Sequence, residues 1–60
     1  MTQEDWVINL ENAAAATKER LGSSAVRFVF RKYGASGIGN LRENDYPAVW
    51  DGLSLMAEDD

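Results

Sequence analysis

The sequence contains neither cysteine nor histidine. Without cysteine the chain can form no disulfide and no thiolate metal site, and without histidine it lacks the commonest general base and a frequent zinc ligand. The serines have no such partner to activate them, and no Ser-x-x-Lys spacing occurs. We therefore expect no enzymatic activity, no cofactor, and no catalytic or metal-ligating residues.

Long apolar runs and an export signal are also lacking. The longest mainly apolar stretch, near Ala13–Ala16, is far too short to cross a bilayer. The N-terminal Met-Thr-Gln-Glu-Asp is acidic, unlike a signal peptide. We therefore expect a cytoplasmic protein that does not enter a membrane.

The chain is short for a domain that has neither disulfide nor metal. Its 60 residues make one domain, 1–60. A core of this size is marginal on its own, because a small domain buries a smaller share of its unfolded surface than a large one. We therefore expect a homo-oligomer, most simply a homodimer, or a permanent protein partner.

Charge is sorted along the chain. Residues 1–17 hold three acids and no base, 18–42 hold six bases and one acid, and 43–60 hold six acids, so their net charges are −3, +5 and −6 and the total is −4. A basic segment between acidic flanks can meet a negative partner, a second copy of the chain, or its own ends.

Apolar residues recur at the three- and four-residue spacing of helices. This pattern predicts an all-α domain with three helices, near 3–21, 24–33 and 45–57. Thr2 and Asp5 have the spacing of a capping box at the start of the first helix. The glycine after Leu21 is expected to end it.

The second helix has a competing interpretation as a strand. Val26, Phe28 and Phe30 recur at every second position and are β-branched or aromatic. A helix is favoured because the chain offers no second strong strand, and a lone strand is not stable. We expect Ser23 or Ser24 to cap this helix and a glycine to end it.

A glycine-rich loop, 34–41, leads to the third helix. Its glycines are spaced as in loops that cradle phosphate, but no predicted strand precedes them, which favours a helix–helix connector. Asp45 is expected to cap the third helix, with Pro47 in its first turn. The acids of 58–60 oppose the helix dipole and predict a frayed tail.

Each predicted helix has one apolar face, and these faces are expected to meet in a common core. The expected core residues are Trp6, Val7, Leu10, Leu21, Val26, Val29, Phe30, Tyr33, Ile38, Leu41, Tyr46, Val49, Trp50 and Leu53.

Phe28 is the aromatic residue that the core does not use. Helical geometry places it nearly opposite the core face, beside Lys32 and near Arg27 and Arg31. An aromatic among cations can pack on a second protein surface or stack on nucleic-acid bases. The alanines of 13–16 leave a smooth surface that another helix can approach. The predicted interaction surface is Arg27, Phe28, Arg31, Lys32, Ala13 and Ala16.

Three segments of the second half of the chain form a pattern. They are Arg31-Lys32-Tyr33-Gly34-Ala35, Ile38-Gly39-Asn40-Leu41 and Asp45-Tyr46-Pro47-Ala48-Val49-Trp50-Asp51-Gly52-Leu53. The pattern resembles small helical accessory proteins that are encoded by phages and conjugative elements of Gram-positive bacteria. The resemblance implies an accessory protein of a mobile genetic element and brings no catalytic residues with it.

These observations predict a non-enzymatic protein–protein interaction module that acts through helix packing and self-association. Two alternatives stay open. One is a nucleic-acid-binding accessory protein that uses the strip Arg27, Arg31 and Lys32. The other is an acidic inhibitor that mimics DNA through the acids from Glu43 onward.

Overall fold

The computed structural model of the chain describes residues 1–58. Three α-helices and two short 3-10 turns follow one another, with the bounds α1 Gln3–Leu21, α2 Ser23–Arg31, turns Ile38–Asn40 and Glu43–Asp45, and α3 Tyr46–Ala57. The predicted all-α three-helix domain is confirmed. The described part of the chain contains no strand, so the strand interpretation of the second segment is wrong.

Helix α1 begins at the predicted capping box. The Asp5 N–H donates to Thr2 Oγ1 over 3.1 Å, and the Thr2 N–H donates to Asp5 Oδ2 over 3.4 Å. Helix α1 ends at Gly22, whose φ of 92° is open to glycine and whose N–H donates to Lys18 O over 2.8 Å. Both ends of α1 therefore lie where local sequence signals place them.

Gly22 also starts α2, which corrects the predicted serine cap. It is the only residue between the two helices, so Ser23 is already helical and neither Ser23 nor Ser24 makes a capping hydrogen bond. Gly22 itself occupies the capping position of α2 and has no side chain with which to cap the helix.

Gly34 closes the end of α2 with φ of 74°. The Ala35 N–H donates to Phe30 O over 3.1 Å, and the Gly34 N–H donates to Arg31 O over 3.0 Å. These two bonds form a Schellman motif, which satisfies carbonyls that the end of a helix leaves free. The motif also turns Ala35 into the core, where it is buried.

Asp45 precedes α3 but does not cap it, contrary to the prediction. Its backbone is helical, with φ −95° and ψ −5°, because the 3-10 turn before it runs directly into the helix. Its side chain makes no cap hydrogen bond, and Oδ2 instead lies 3.4 Å from Arg42 Nε. Pro47 occupies the first turn as predicted.

The C-terminal end of α3 was expected to be followed by a frayed acidic tail over 58–60. Glu58 is extended and exposed, and its N–H lies 3.1 Å from Ser54 O and 3.3 Å from Leu55 O. Asp59 and Asp60 lie outside the described residues, and so does the part of the prediction that concerns them.

The core lies mainly between α1 and α3, with α2 packed across one side of the pair. Its buried apolar residues are Leu10, Ala13, Val29, Phe30, Ala35, Leu41, Tyr46, Val49 and Leu53. Five other predicted core residues are only partly buried and pack against this cluster, namely Trp6, Val7, Val26, Tyr33 and Ile38. Two predicted core residues are exposed. Leu21 is 48% exposed because the chain turns away directly after it, and Trp50 is 39% exposed at the margin, where its ring meets Trp6 edge-to-face.

Thr17 joins α1 to α3 from inside this core. It is fully buried, and its hydroxyl lies 2.7 Å from Leu53 O on α3 and 2.9 Å from Ala13 O on its own helix. Near the same ends of the two helices, Arg20 Nη1 donates to Met56 O over 3.2 Å. These polar contacts fix the register of α1 against α3 and thereby the position of the α3 residues that face α2.

Candidate interaction surface

A groove of about 240 Å³ lies on the surface between α2 and α3. Val29 and Gly52 line its floor, and Phe28 and Leu55 line it from opposite helices. Both of these large apolar side chains are mostly in solvent, Phe28 with 58% and Leu55 with 60% of its surface exposed. We call this feature the α2–α3 groove.

The floor is open because residue 52 has no side chain. A methyl group placed on Gly52 would lie 3.5 Å from Val29 Cγ1, which is ordinary van der Waals contact. The two helices therefore approach closely at this point while the space above Gly52 stays free. An apolar side chain from another molecule could contact both Phe28 and Leu55 from that space.

One cation lines the α2 side of the groove. It is Lys32, with Nζ 5.7 Å from the centre of the Phe28 ring. Arg27 and Arg31 are exposed on α2 but do not line the groove. A cation–π contact of this kind contributes about 0.5–1 kcal/mol at an exposed site. None of the three cations forms an ion pair with any residue of 1–58.

A single acid of α3 borders the other side of the groove. Asp51 is exposed and lies one helical turn from Leu55. Its carboxylate forms no ion pair within the described part of the chain. Opposite charges therefore border the two sides of the groove without pairing across it.

The structure places four of the six predicted interaction residues in two separate grooves, and Arg27 and Arg31 line neither. Phe28 and Lys32 line the α2–α3 groove, whereas Ala13 and Ala16 line a larger groove of about 350 Å³ between α1 and α3. Ala13 also belongs to the buried core, and Ala16 is exposed. The alanines and the basic strip thus do not line one continuous groove.

The position of Phe28 also differs from the prediction in one respect. It is exposed and beside Lys32, as expected, but it lies next to α3 rather than on the far side of α2. The difference arises because the Val29 side of α2 faces α3 at Gly52, and Phe28 is only about 100° from Val29 around the helix.

Two further residues of the groove, Gly52 and Leu55, were not predicted. Signals for both exist in the sequence. Gly52 is a glycine within a helix, where it weakens the helix unless it serves close packing, and Leu55 is a leucine outside the apolar face of its helix. Their meeting with Phe28 depends on how α3 packs against α2, and local spacing does not encode that packing.

The glycine-rich loop has a structural role that uses its backbone amides. Asn40 Oδ1 accepts the N–H of Ser36 over 3.1 Å and that of Gly37 over 3.3 Å, and Asn40 Nδ2 donates to Ser36 Oγ over 3.2 Å. Since these two amides already have an acceptor, the loop is better described as a connector closed by Asn40 than as a phosphate cradle.

Other kinds of site find no support in 1–58. No group of three acidic side chains there is placed to hold a metal ion. Over the same residues, no helix has the length and apolar character needed to cross a membrane. Comparison with family models, with curated proteins and with solved structures finds no match to the chain.

Proposed function

We propose that this protein is a non-enzymatic module that acts by binding another protein chain through the α2–α3 groove. The observation that carries the proposal is the pair Phe28 and Leu55, both mostly exposed on opposite sides of an open floor at Gly52. The resemblance to accessory proteins of phages and conjugative elements supports a role as such a protein in the bacterial cytoplasm.

The groove has the composition of a protein interface. Protein interfaces have an apolar, often aromatic centre and a polar rim, and a few aromatic anchors supply most of the binding energy. Here Phe28 and Leu55 supply the apolar centre, Lys32 lines the edge, and the exposed Asp51 lies one helical turn from Leu55. Complete burial of a large apolar side chain stabilises a complex by roughly 1.5–3 kcal/mol. Burial of Phe28 and Leu55 would therefore contribute to the free energy of binding.

The test is photo-crosslinking from the groove in cells that make the full chain. The photoreactive residue p-benzoyl-phenylalanine replaces Phe28 in one variant and Ile8 in a matched control. Ile8 is 51% exposed but lines neither groove. We expect discrete protein adducts from position 28 and none from position 8. No protein adduct from position 28, or the same adducts from both positions, would show that the groove is not a protein-binding site.

A second candidate function is nucleic-acid binding through Arg27, Arg31 and Lys32. It is favoured by the absence of ion pairs to these cations within 1–58 and by the adjacent Phe28 ring. Three phosphate contacts would make the logarithm of the affinity fall with the logarithm of salt concentration with a slope of about −2 to −3. A salt titration of a fluorescent oligonucleotide, repeated with Arg27→Ala and Arg31→Ala, measures this slope, and absence of binding at low salt removes the candidate.

A further inference from the structure

We infer that the occupant of the α2–α3 groove is the same groove of a second copy of this chain, related by a two-fold axis. The inference rests on the proposed function and names the partner of that site. In a two-fold dimer the same patch is used twice, so each patch must carry both halves of every contact. The α2–α3 groove meets this condition in its charges and in its apolar residues.

The charges are complementary after a two-fold rotation. An axis that runs along the groove lays the α2 side of one copy on the α3 side of the other. Lys32 then faces Asp51 of the second copy, and the same contact occurs again on the other side of the axis. A partner of a single charge sign would match only one side of the groove and oppose the other.

The positions along the groove allow this contact. Val29 and Gly52 lie at the same level, since a Cβ on Gly52 would be 3.5 Å from Val29 Cγ1. Lys32 is three residues from Val29, and Asp51 is next to Gly52. The two charged residues are therefore within about one helical turn, roughly 5 Å, of a common level, which a lysine side chain can reach.

The apolar residues are complementary in the same way. At the level of Gly52, Phe28 of one copy lies over the open floor of the other, next to Leu55. Each copy thus covers the exposed aromatic residue of its partner with a groove that lacks a side chain at its centre. A domain of 60 residues gains most from such coverage, because its own core is small.

The oligomeric state of the purified full chain tests the inference, measured by sedimentation equilibrium over a range of concentrations. We expect the wild-type chain to form a dimer. Phe28→Ala is expected to raise its dissociation constant about tenfold or more. Ile8→Ala, which truncates a similarly exposed side chain outside the groove, is expected to leave it unchanged.

Charge reversal tests the two-fold arrangement itself. Lys32→Glu and Asp51→Lys each place like charges against each other twice, so each variant alone is expected to dimerise at least about tenfold more weakly. Mixing the two variants restores both opposite-charge contacts in a heterodimer, and the double variant restores them in a homodimer. Both positions are exposed, and circular dichroism confirms that each variant is folded.

A wild-type chain that stays monomeric at millimolar concentration would overturn the inference, as would a dimer that is indifferent to Phe28→Ala and to charge reversal. Such a failure is distinguishable from failure of the proposed function. A monomeric chain whose position 28 still crosslinks to a different protein in cells keeps the proposed function and rejects the second copy. An adduct of two copies supports both.

Discussion

Replacement of Thr17 by valine is expected to lower the free energy of unfolding by about 1 kcal/mol, although valine is the more apolar residue. Thr17 is fully buried, and its hydroxyl lies 2.7 Å from Leu53 O across the contact between α1 and α3. Threonine and valine have similar shapes and similar helix propensities. The comparison therefore isolates the hydroxyl, whose single proton can be donated to Leu53 O or to Ala13 O.

Two further substitutions separate the hydroxyl from the methyl group of Thr17. Thr17→Ser keeps the hydroxyl and removes the methyl, which costs about 1 kcal/mol through lost burial and a small cavity. Thr17→Ala removes both groups, so about 2 kcal/mol is expected. A core of this size supplies roughly 3–5 kcal/mol in all, so alanine would remove about half of the stability.

The assay is urea unfolding at one fixed protein concentration, followed by circular dichroism and by the fluorescence of Trp6 and Trp50. We expect the wild type to be the most stable, Thr17→Val and Thr17→Ser to be about equally less stable, and Thr17→Ala to be the least stable. In thermal unfolding each 1 kcal/mol lowers Tm by about 4–8 °C in a domain of this size. If Thr17→Val is at least as stable as the wild type, and Thr17→Ala is as stable as Thr17→Ser, then the hydroxyl contributes nothing to the free energy of unfolding. Apolar packing alone would then hold α1 on α3.

Two glycine replacements are expected to act in opposite directions in thermal unfolding, measured at a protein concentration low enough that two copies do not associate. Gly52→Ala raises the free energy of unfolding by about 0.4–1 kcal/mol, because position 52 is inside α3 and the new methyl makes an ordinary contact with Val29. Gly34→Ala lowers it by about 1–2 kcal/mol, because φ there is 74° while nothing within 4 Å obstructs a Cβ. Shifts of the same sign would contradict the backbone conformation at one of the two positions.

The helices could be predicted from the sequence because their signals are local. The Thr2–Asp5 capping box and the stops at Gly22 and Gly34 each involve hydrogen bonds over a few residues. The predicted caps at Ser23 or Ser24 and at Asp45 were wrong, because capping depends on the backbone conformation of the residues before the helix. Before α2 a single glycine occupies the capping position, and before α3 a 3-10 turn runs directly into the helix. Spacing in the sequence does not show either arrangement.

The candidate site could be predicted only in part. Exposure of Phe28 beside Lys32 follows from the period of α2, and the structure has both features. The groove that they border is made by α3, whose register is fixed through contacts far apart in sequence, such as Thr17 with Leu53. The open floor at Gly52 cannot be predicted before that register is known. For this reason Gly52 and Leu55 were not predicted as residues of the groove.

The structure explains part of the uneven distribution of charge along the chain. In α1 the acids of the first turn and the bases of the last turn match the helix dipole. Arg31 in the last turn of α2 matches the dipole of that helix as well. Lys32 and Asp51 instead border one groove without pairing across it. Facing a second copy, Lys32 and Asp51 would sit well inside the screening length of about 8 Å at physiological salt. Because these two charges do not pair within 1–58 and become complementary after a two-fold rotation, the proposed dimer gives them the partners that the described part of the chain does not.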